Sequence, residues 1–236
     1  MMKNSLDQQQ AQLFLNRISD ASDSGQAENT PLSTSIQAWK DLQLPQGSVV
    51  LLVFSNCKDL LQHVFALIFA GYVPALISPA TPALRLNLLV KHFNAKALIK
   101  PKLFTENLEA VNKLTSIHQY PVAIFENNEK LLTFANEIIL TTSGTSDFSS
   151  GCVFDISMLL CNANKHADVV GMSAKDMILI NLPLFYSYAF VAQALAAYVT
   201  GASLCISSPP FSCSRYLNDI DKYQVTHSSM TPLLVK

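Results

Sequence analysis

From Ser48 onward, the chain alternates between short apolar runs and amphipathic segments, with polar turns separating them. An apolar, β-branched run without alternation is typical of a strand buried on both faces of a parallel sheet, whereas spaced apolar positions indicate a helix. The first part of this pattern predicts three strands with two intervening helices. The strands are Ser48–Phe54, Tyr72–Ile77 and Lys96–Lys100, and the helices are Asp59–Ala70, which ends at Gly71, and Arg85–Phe93.

The same alternation returns in the second half of the chain. Four strands and three helices are predicted there: strands Glu137–Thr141, Met177–Leu182, Ser203–Ser207 and Val225–Ser229, and helices Ser157–Val170, Ala189–Thr200 and Tyr216–Tyr223. Strands that alternate with helices form βαβ units. The predicted fold class is therefore α/β, with parallel-rich sheets flanked by helices.

The first 32 residues differ in composition from the rest. They are rich in Gln, Ser, Asp and Asn, with one short predicted helix at Gln8–Phe14. We therefore expect residues 1–32 to be a flexible polar segment and residues 33–236 to form the compact region.

The overall composition gives this chain a large core and little charged surface. Half of the residues are hydrophobic, 14% are charged and the net charge is −1. This excludes a disordered chain and offers no basic patch for nucleic acid. Five irregularly spaced cysteines and a polar start predict buried free thiols in a reducing compartment, the cytoplasm.

One long stretch, Met177 to Ser214, has no charged residue. Pro183, Gly201 and the pair Pro209–Pro210 interrupt it, so we expect no membrane span. The remaining explanation is apolar surface that further chain, a second polypeptide or another copy covers.

The segment with the most chemical information is Ile138–Val153, which runs from an apolar strand into a loop of Ser, Thr and Gly. Backbone N–H groups and hydroxyls in such a loop bind phosphate oxygens. An ordinary polar loop and a generic nucleotide-binding domain remain as alternatives. The sequence has neither the P-loop motif nor G-x-G-x-x-G at this place.

This loop resembles the sequence T-S-G-S/T-T-G-x-P-K-G of the adenylate-forming superfamily, which includes acyl-CoA synthetases, acyl-AMP ligases and adenylation domains. Residues 142–146 match its first half and Gly151 its closing glycine. Residues 181–189 resemble the family element P-L-F/Y-H-x-x-G, and residues 47–99 its opening strands and helices. The resemblance implies a partial N-terminal domain over residues 33–236, without the C-terminal half and lid domain.

The resemblance also implies a reaction and a site. A carboxylic acid and ATP, with Mg²⁺, would give an acyl-adenylate, and the acyl group would pass to CoA or a carrier-protein thiol. The phosphate-binding residues implied are Thr142, Ser143, Gly144, Thr145, Ser146 and Gly151, and the implied acyl pocket contains Phe185, Tyr186 and Tyr188. No catalytic residue and no protein metal site are predicted. The absence of an acidic residue in the Met177–Ser214 stretch favours a fatty or aryl acid over an amino acid.

Three departures from the family loop argue against full activity. Asp147 stands where the family has its second glycine, and Ser149 and Ser150 stand at its proline and lysine. Losing a cation and adding a carboxylate both weaken binding of a polyanion. Two hypotheses follow: a ligase that needs a separate second half, or a catalytically inactive remnant or interaction module of the same fold.

Overall fold

A computed structural model of the chain describes residues 5–21, 30–101, 108–126, 133–141, 151–207 and 210–232. The chain divides into two compact units. We call them the four-stranded unit (Met1–Asn29, Ser55–Leu61 and Ile156–Lys236) and the seven-stranded unit (Thr30–Phe54 and Gln62–Asp155).

Within the described residues, the seven-stranded unit contains a mixed sheet in the order β5-β6-β4-β2-β3-β7-β8. The strands are β2 (Val49–Val53), β3 (Val73–Ile77), β4 (Ala97–Ile99), β5 (Val111–Ile117), β6 (Tyr120–Phe125), β7 (Glu137–Thr141) and β8 (Gly151–Asp155). The helices are α2 (Leu32–Lys40), α3 (Lys58–Ala70), which belongs to this unit from Gln62 on, and α4 (Ala83–His92). Strands β4, β2, β3 and β7 are parallel neighbours, whereas β5, β6 and β8 pair antiparallel at the edges.

The central strands follow directly from their composition. Every residue of β2, β3 and β4 is buried, so both faces of each strand are covered. Each fully buried aliphatic side chain contributes about 1.5–3 kcal/mol relative to exposure. These strands, and the helices between them, confirm the βαβ pattern predicted from the sequence.

The four-stranded unit contains a parallel sheet in the order β1-β10-β9-β11 among the residues described. Its strands are β1 (Ile18–Asp20), β9 (Met177–Ile180), β10 (Ser203–Ile206) and β11 (His227–Ser228). Its helices are α1 (Gln8–Asn16), α5 (Ile156–Val170), a π-helical segment (Tyr188–Leu195) that continues into α6 (Ala196–Thr200), and α7 (Cys213–Tyr223). The predicted α/β class with parallel-rich sheets is confirmed.

The N-terminal segment differs from the flexible stretch expected for residues 1–32. Residues 8–20 form α1 and β1, and β1 pairs with β10 in the register Ile18↔Leu204. Phe14 is fully buried, with its ring edge-on to Tyr198 at 5.8 Å between centroids. The polar composition concealed this role because three apolar residues, Ala11, Phe14 and Leu15, carry the buried face of α1. Residues 22–29 of the expected linker lie outside the described residues.

The antiparallel edges are the main part of the fold that the pattern does not predict. Most residues of β5 are exposed or half-exposed and polar, so the strand lacks an apolar run.

Among the described residues, no helix has the length and apolar character required to cross a bilayer. The five cysteines are free, but only Cys57 and Cys205 are buried.

Candidate functional site

The Ser/Thr/Gly loop leaves the seven-stranded sheet at the carboxyl end of β7. Strand β7 runs parallel to β3, with Leu140 opposite Leu76, and the Thr141 hydroxyl donates a hydrogen bond to the Leu76 carbonyl at 3.1 Å. Ligands of α/β proteins bind outside the carboxyl ends of parallel strands. The loop sequence therefore begins on the edge of the sheet where such a site is expected.

The residues predicted to contact phosphate lie mostly outside the described part of the chain. This applies to Thr142, Ser143, Gly144, Thr145 and Ser146, and also to the departures Asp147, Ser149 and Ser150. Both ends of the loop are described, because Thr141 pairs with Gly151 across the antiparallel ladder of β7 and β8. Their pairing brings the two ends of the 142–150 segment together.

Gly151 itself is the first residue of β8 rather than part of the loop. A Cβ atom at this position would lie 2.6 Å from Cζ of Phe93 and 2.7 Å from Cγ2 of Ile139. Real Cβ atoms essentially never come closer than 3.0 Å to such neighbours. Any larger residue here would therefore force the side chains of Phe93 and Ile139 to shift, which is a packing reason for glycine, and a role in phosphate binding stays a prediction.

The predicted acyl-pocket residues belong to the four-stranded unit. The rings of Phe185 and Tyr186 are in contact, with centroids 4.6 Å apart and planes inclined by 56°. Tyr186 is 40% exposed and Tyr188 is 50% exposed, whereas Phe185 is half-buried. Neither tyrosine is thus a core residue, so packing of a hydrophobic core does not explain these two aromatic side chains.

Tyr188 begins the π-helical segment that replaces the first part of the predicted helix Ala189–Thr200. Its hydroxyl lies 3.2 Å from Oγ of Ser229, and its ring is 6.3 Å from that of His166. Single π-helical turns occur frequently at functional sites. Helical periodicity in the sequence could not distinguish this segment from an α-helix, because both hydrogen-bond patterns bury the same apolar stretch.

Two buried amides in the four-stranded unit lack full hydrogen bonding. Gln193 is 2% exposed; its Nε2 donates to the Leu179 carbonyl at 3.4 Å, but its Oε1 has no partner among the described residues. Both side-chain polar atoms of Asn181 are likewise buried and without such a partner. Native proteins contain few such groups, and each calls for an explanation.

Asn56 is a residue whose role the sequence pattern did not reveal. In the sequence it is one polar residue in the short segment between the predicted strand Ser48–Phe54 and the predicted helix Asp59–Ala70. Its side chain donates to the Leu182 carbonyl at 2.8 Å and accepts from the Leu184 amide at 2.7 Å. It therefore holds the backbone immediately before Phe185.

The described residues offer no metal site, and the two buried thiols are not activated. They contain no group of three or more His, Cys, Asp or Glu side chains arranged to hold a metal. Burial raises the pKa of the Cys57 thiol to about 12 and that of Cys205 to about 12. Both thiols therefore stay protonated and poorly nucleophilic at neutral pH.

The fold is that of the N-terminal domain of adenylate-forming enzymes of known structure. The o-succinylbenzoate-CoA synthetase from Bacillus subtilis, solved with its acyl-adenylate intermediate, superimposes with a TM-score of 0.76 at 17% identity. The match covers 96% of this chain and 61% of that one.

The sequence matches the family of AMP-binding enzymes over residues 37–236. The chain belongs to this family, as its loop and strand motifs predict.

Curated relatives include two kinds of protein. The chain is 26% identical over 219 residues to nonribosomal peptide synthetase 6 of Alternaria brassicicola. This match covers 83% of this chain and 14% of the synthetase. The chain is 23% identical over 218 residues to 3-methylmercaptopropionyl-CoA ligase of Ruegeria lacuscaerulensis, covering 80% of this chain and 40% of that ligase. The chain thus spans less than half the length of either relative.

Proposed function

We propose that this chain provides the phosphate loop and the acid-binding element of an ATP-dependent ligase that activates a carboxylic acid. In the first step, a carboxylate oxygen attacks the α-phosphorus of ATP and pyrophosphate leaves, which gives an acyl-adenylate. In the second step, a thiol of CoA or a carrier protein attacks the acyl carbonyl and AMP leaves. Membership of the AMP-binding family is the observation that carries this proposal.

The loop between β7 and β8 supplies the groups that bind phosphate. Its residues Thr142–Ser146 are two threonines, two serines and a glycine, and they follow the carboxyl end of a parallel strand. Preorganised donors of this kind stabilise the charge that develops on departing pyrophosphate. The donor set fits ATP, and bound Mg²⁺ would neutralise part of the phosphate charge.

Two loop residues lower the expected affinity for ATP. Asp147 adds a negative charge to the loop sequence, and Ser150 stands where the family has a lysine. In an α/β phosphate site, one missing cation removes an attraction that a neutral hydroxyl replaces only in part. We therefore expect weaker ATP binding than a complete family loop would give.

The acid that fits this chain best is an aliphatic or aryl carboxylic acid. Phe185, Tyr186 and Tyr188 offer partly exposed aromatic surface, which suits an apolar acyl group. From Met177 to Ser214 the sequence has no carboxylate that would pair with a substrate amino group. This favours a carboxylic acid without an amino group over an amino acid as the substrate.

We propose that the complete reaction involves protein in addition to these 236 residues. The curated relatives above are more than twice as long as the matched segment, and the low charge content leaves apolar surface for further protein to cover. We propose that further chain, a second polypeptide or another copy fulfils this role, and that the protein acts in the cytoplasm.

The loop departures support a second candidate function. With Asp147 and Ser150 in place, the chain would keep the fold but not the chemistry, as an inactive remnant or an interaction module. Such a protein would bind neither ATP–Mg²⁺ nor an acid with useful affinity.

Two measurements on this chain separate the alternatives. Isothermal titration with ATP–Mg²⁺ tests nucleotide binding, with GTP–Mg²⁺ as the specificity control. Exchange of radiolabelled pyrophosphate into ATP, with decanoate, cinnamate or L-phenylalanine added, tests acid activation. Binding of ATP–Mg²⁺ is the expected result for a ligase whose complete reaction needs further protein, and exchange that depends on decanoate or cinnamate would exclude the remnant function. Absence of both binding and exchange would leave the remnant function.

A further inference from the structure

Asn56 makes a two-point contact with a backbone segment far away in the sequence. Its amide nitrogen donates to the Leu182 carbonyl at 2.8 Å, and its amide oxygen accepts from the Leu184 N–H at 2.7 Å. The separations along the chain are 126 and 128 residues. Asn56 is 9% exposed and Leu184 is fully buried, so water competes little with either bond.

The backbone at this point needs an outside partner. Strand β9 ends at Ile180, and Pro183 has no N–H with which to continue a ladder. A buried N–H or C=O without a partner destabilises the folded chain. The asparagine amide offers one donor and one acceptor in the same geometry as a peptide group, so it takes the place of a neighbouring strand.

Asn56 is itself held firmly. It lies between β2 and α3, and the first N–H of α3, that of Lys58, donates to Oδ2 of Asp20 at 2.7 Å. A carboxylate at a helix N-terminus stabilises both the free N–H groups and the helix dipole. The asparagine therefore projects from an anchored helix start and not from a free loop.

The bonded segment leads straight into the aromatic pair. Leu184 precedes Phe185 and Tyr186, and the Tyr186 N–H donates back to the Pro183 carbonyl at 3.1 Å. The turn that presents the two rings is thus closed on one side by its own hydrogen bond and on the other by Asn56. Asn56 has no contact with the rings among the bonds described, so its influence on them passes through the backbone.

We propose that Asn56 is a positioning residue that fixes the Phe185–Tyr186 element and thereby sets the affinity for the acyl part of the substrate. The statement about substrate rests on the proposed function, whereas the statement about the aromatic element does not. Neither alanine nor aspartate can replace the amide fully. Alanine loses both bonds, and aspartate keeps the acceptor for Leu184 but places a carboxylate oxygen against the Leu182 carbonyl.

The first test follows the backbone and the rings without any ligand. Exchange of the Leu184 amide proton is measured by NMR, and 3-fluorotyrosine labelling reports on Tyr186, whose resonance is assigned with Tyr186→Phe. We expect Asn56→Ala to accelerate Leu184 exchange about tenfold and to move the Tyr186 resonance. Asn56→Asp should restore slow exchange at Leu184, because its carboxylate still accepts that bond.

Gln62→Ala is the matched control. Gln62 is another buried amide, on helix α3 that follows Asn56, and its Nε2 donates to the Thr30 carbonyl and to Oγ of Ser35 in the seven-stranded unit. A general loss of stability would affect Leu184 and Tyr186 equally in both variants. Equal effects of Asn56→Ala and Gln62→Ala, or no effect of Asn56→Ala, would overturn the proposal.

The second test uses ligands as probes. Decanoate, cinnamate and ATP–Mg²⁺ are titrated separately into the unmodified chain and into Asn56→Ala. We expect about tenfold weaker binding of whichever acid the unmodified chain binds, with unchanged ATP–Mg²⁺ affinity. If the unmodified chain binds neither acid, the acyl part of the proposed function fails, while the NMR measurements still decide whether Asn56 positions the aromatic element.

Discussion

Nε1 of Trp39 lies 3.3 Å from Nδ1 of His63 and donates a hydrogen bond to it in the interior of the seven-stranded unit. The two rings meet edge to face, at 5.8 Å and 84°. Since the indole can only donate, Nδ1 of His63 must carry no proton. Burial, with the neighbouring His118 as a second cause, lowers the pKa of His63 to about 3.

This depressed pKa makes stability depend on pH. Between about pH 6.5 and 3 the unfolded chain binds a proton at His63 that the folded chain does not, so stability is full above pH 6.5 and is lost as the pH falls. Between pH 7 and pH 5, we expect the unmodified chain to lose about 2 kcal/mol more stability than His63→Gln loses. Urea unfolding followed by fluorescence of Trp39, the single tryptophan, measures it.

His92→Gln serves as the control for this effect, because His92 is an exposed histidine on α4. Its pH profile should match that of the unmodified chain. Identical profiles for His63→Gln and the unmodified chain would show that His63 titrates normally.

The N-terminal helix should contribute strongly to stability. Phe14→Ala removes a fully buried ring from its edge contact with Tyr198, which we expect to cost about 3–5 kcal/mol. Leu13→Ala changes the neighbouring side chain, which is 51% exposed, and should cost far less. Equal urea midpoints for the two variants would mean that α1 does not pack as described.

Gly151 should be required by packing even where no nucleotide is present. Gly151→Ala places a methyl group 2.6 Å from the Phe93 ring and should destabilise the chain by about 1–3 kcal/mol. Adding Phe93→Leu should make the combined cost smaller than the sum of the two single changes. Strict additivity in a double-mutant cycle of unfolding free energies would refute the contact.

Gln193 should be replaceable without loss of stability. Gln193→Met keeps the volume and removes a buried Oε1 that has no hydrogen-bond partner in the described part of the chain, so we expect unchanged or higher stability. Gln62→Met removes a buried amide with bonds of 2.9 and 2.8 Å and should destabilise the chain. If Gln193→Met is as harmful as Gln62→Met in thermal unfolding, a bound water or ligand satisfies Gln193.

Restoring the family lysine should strengthen nucleotide binding. Ser150→Lys adds a cation to the loop proposed to hold the ATP phosphates, and we expect about tenfold tighter binding of ATP–Mg²⁺ in calorimetry. Ser214→Lys adds the same charge at an exposed position of α7 and should leave the affinity unchanged. An equal gain in both variants would indicate general charge attraction only.

Much of the fold follows from local sequence. The apolar runs of β2 and β3 have every residue buried, so a short run of apolar residues is enough to locate each strand. Strand β5 was missed because its exposed polar residues carry no such signal, and its place depends on pairing with β6. The N-terminal strand β1 was not predicted, because its three residues are too few to show a hydrophobic pattern and its place depends on pairing with β10.

The sequence by itself determined the α/β class, the order of its central elements and the position of the Ser/Thr/Gly loop. These depend on short-range periodicity and on local motifs, which a single chain displays directly. Only the tertiary structure decided which side chains surround Gly151, that Trp39 donates a hydrogen bond to His63, and which backbone segment Asn56 holds. Each of these depends on atoms brought together from distant parts of the chain, such as Asn56 and Leu184 at 128 residues apart, and no local pattern encodes that distance.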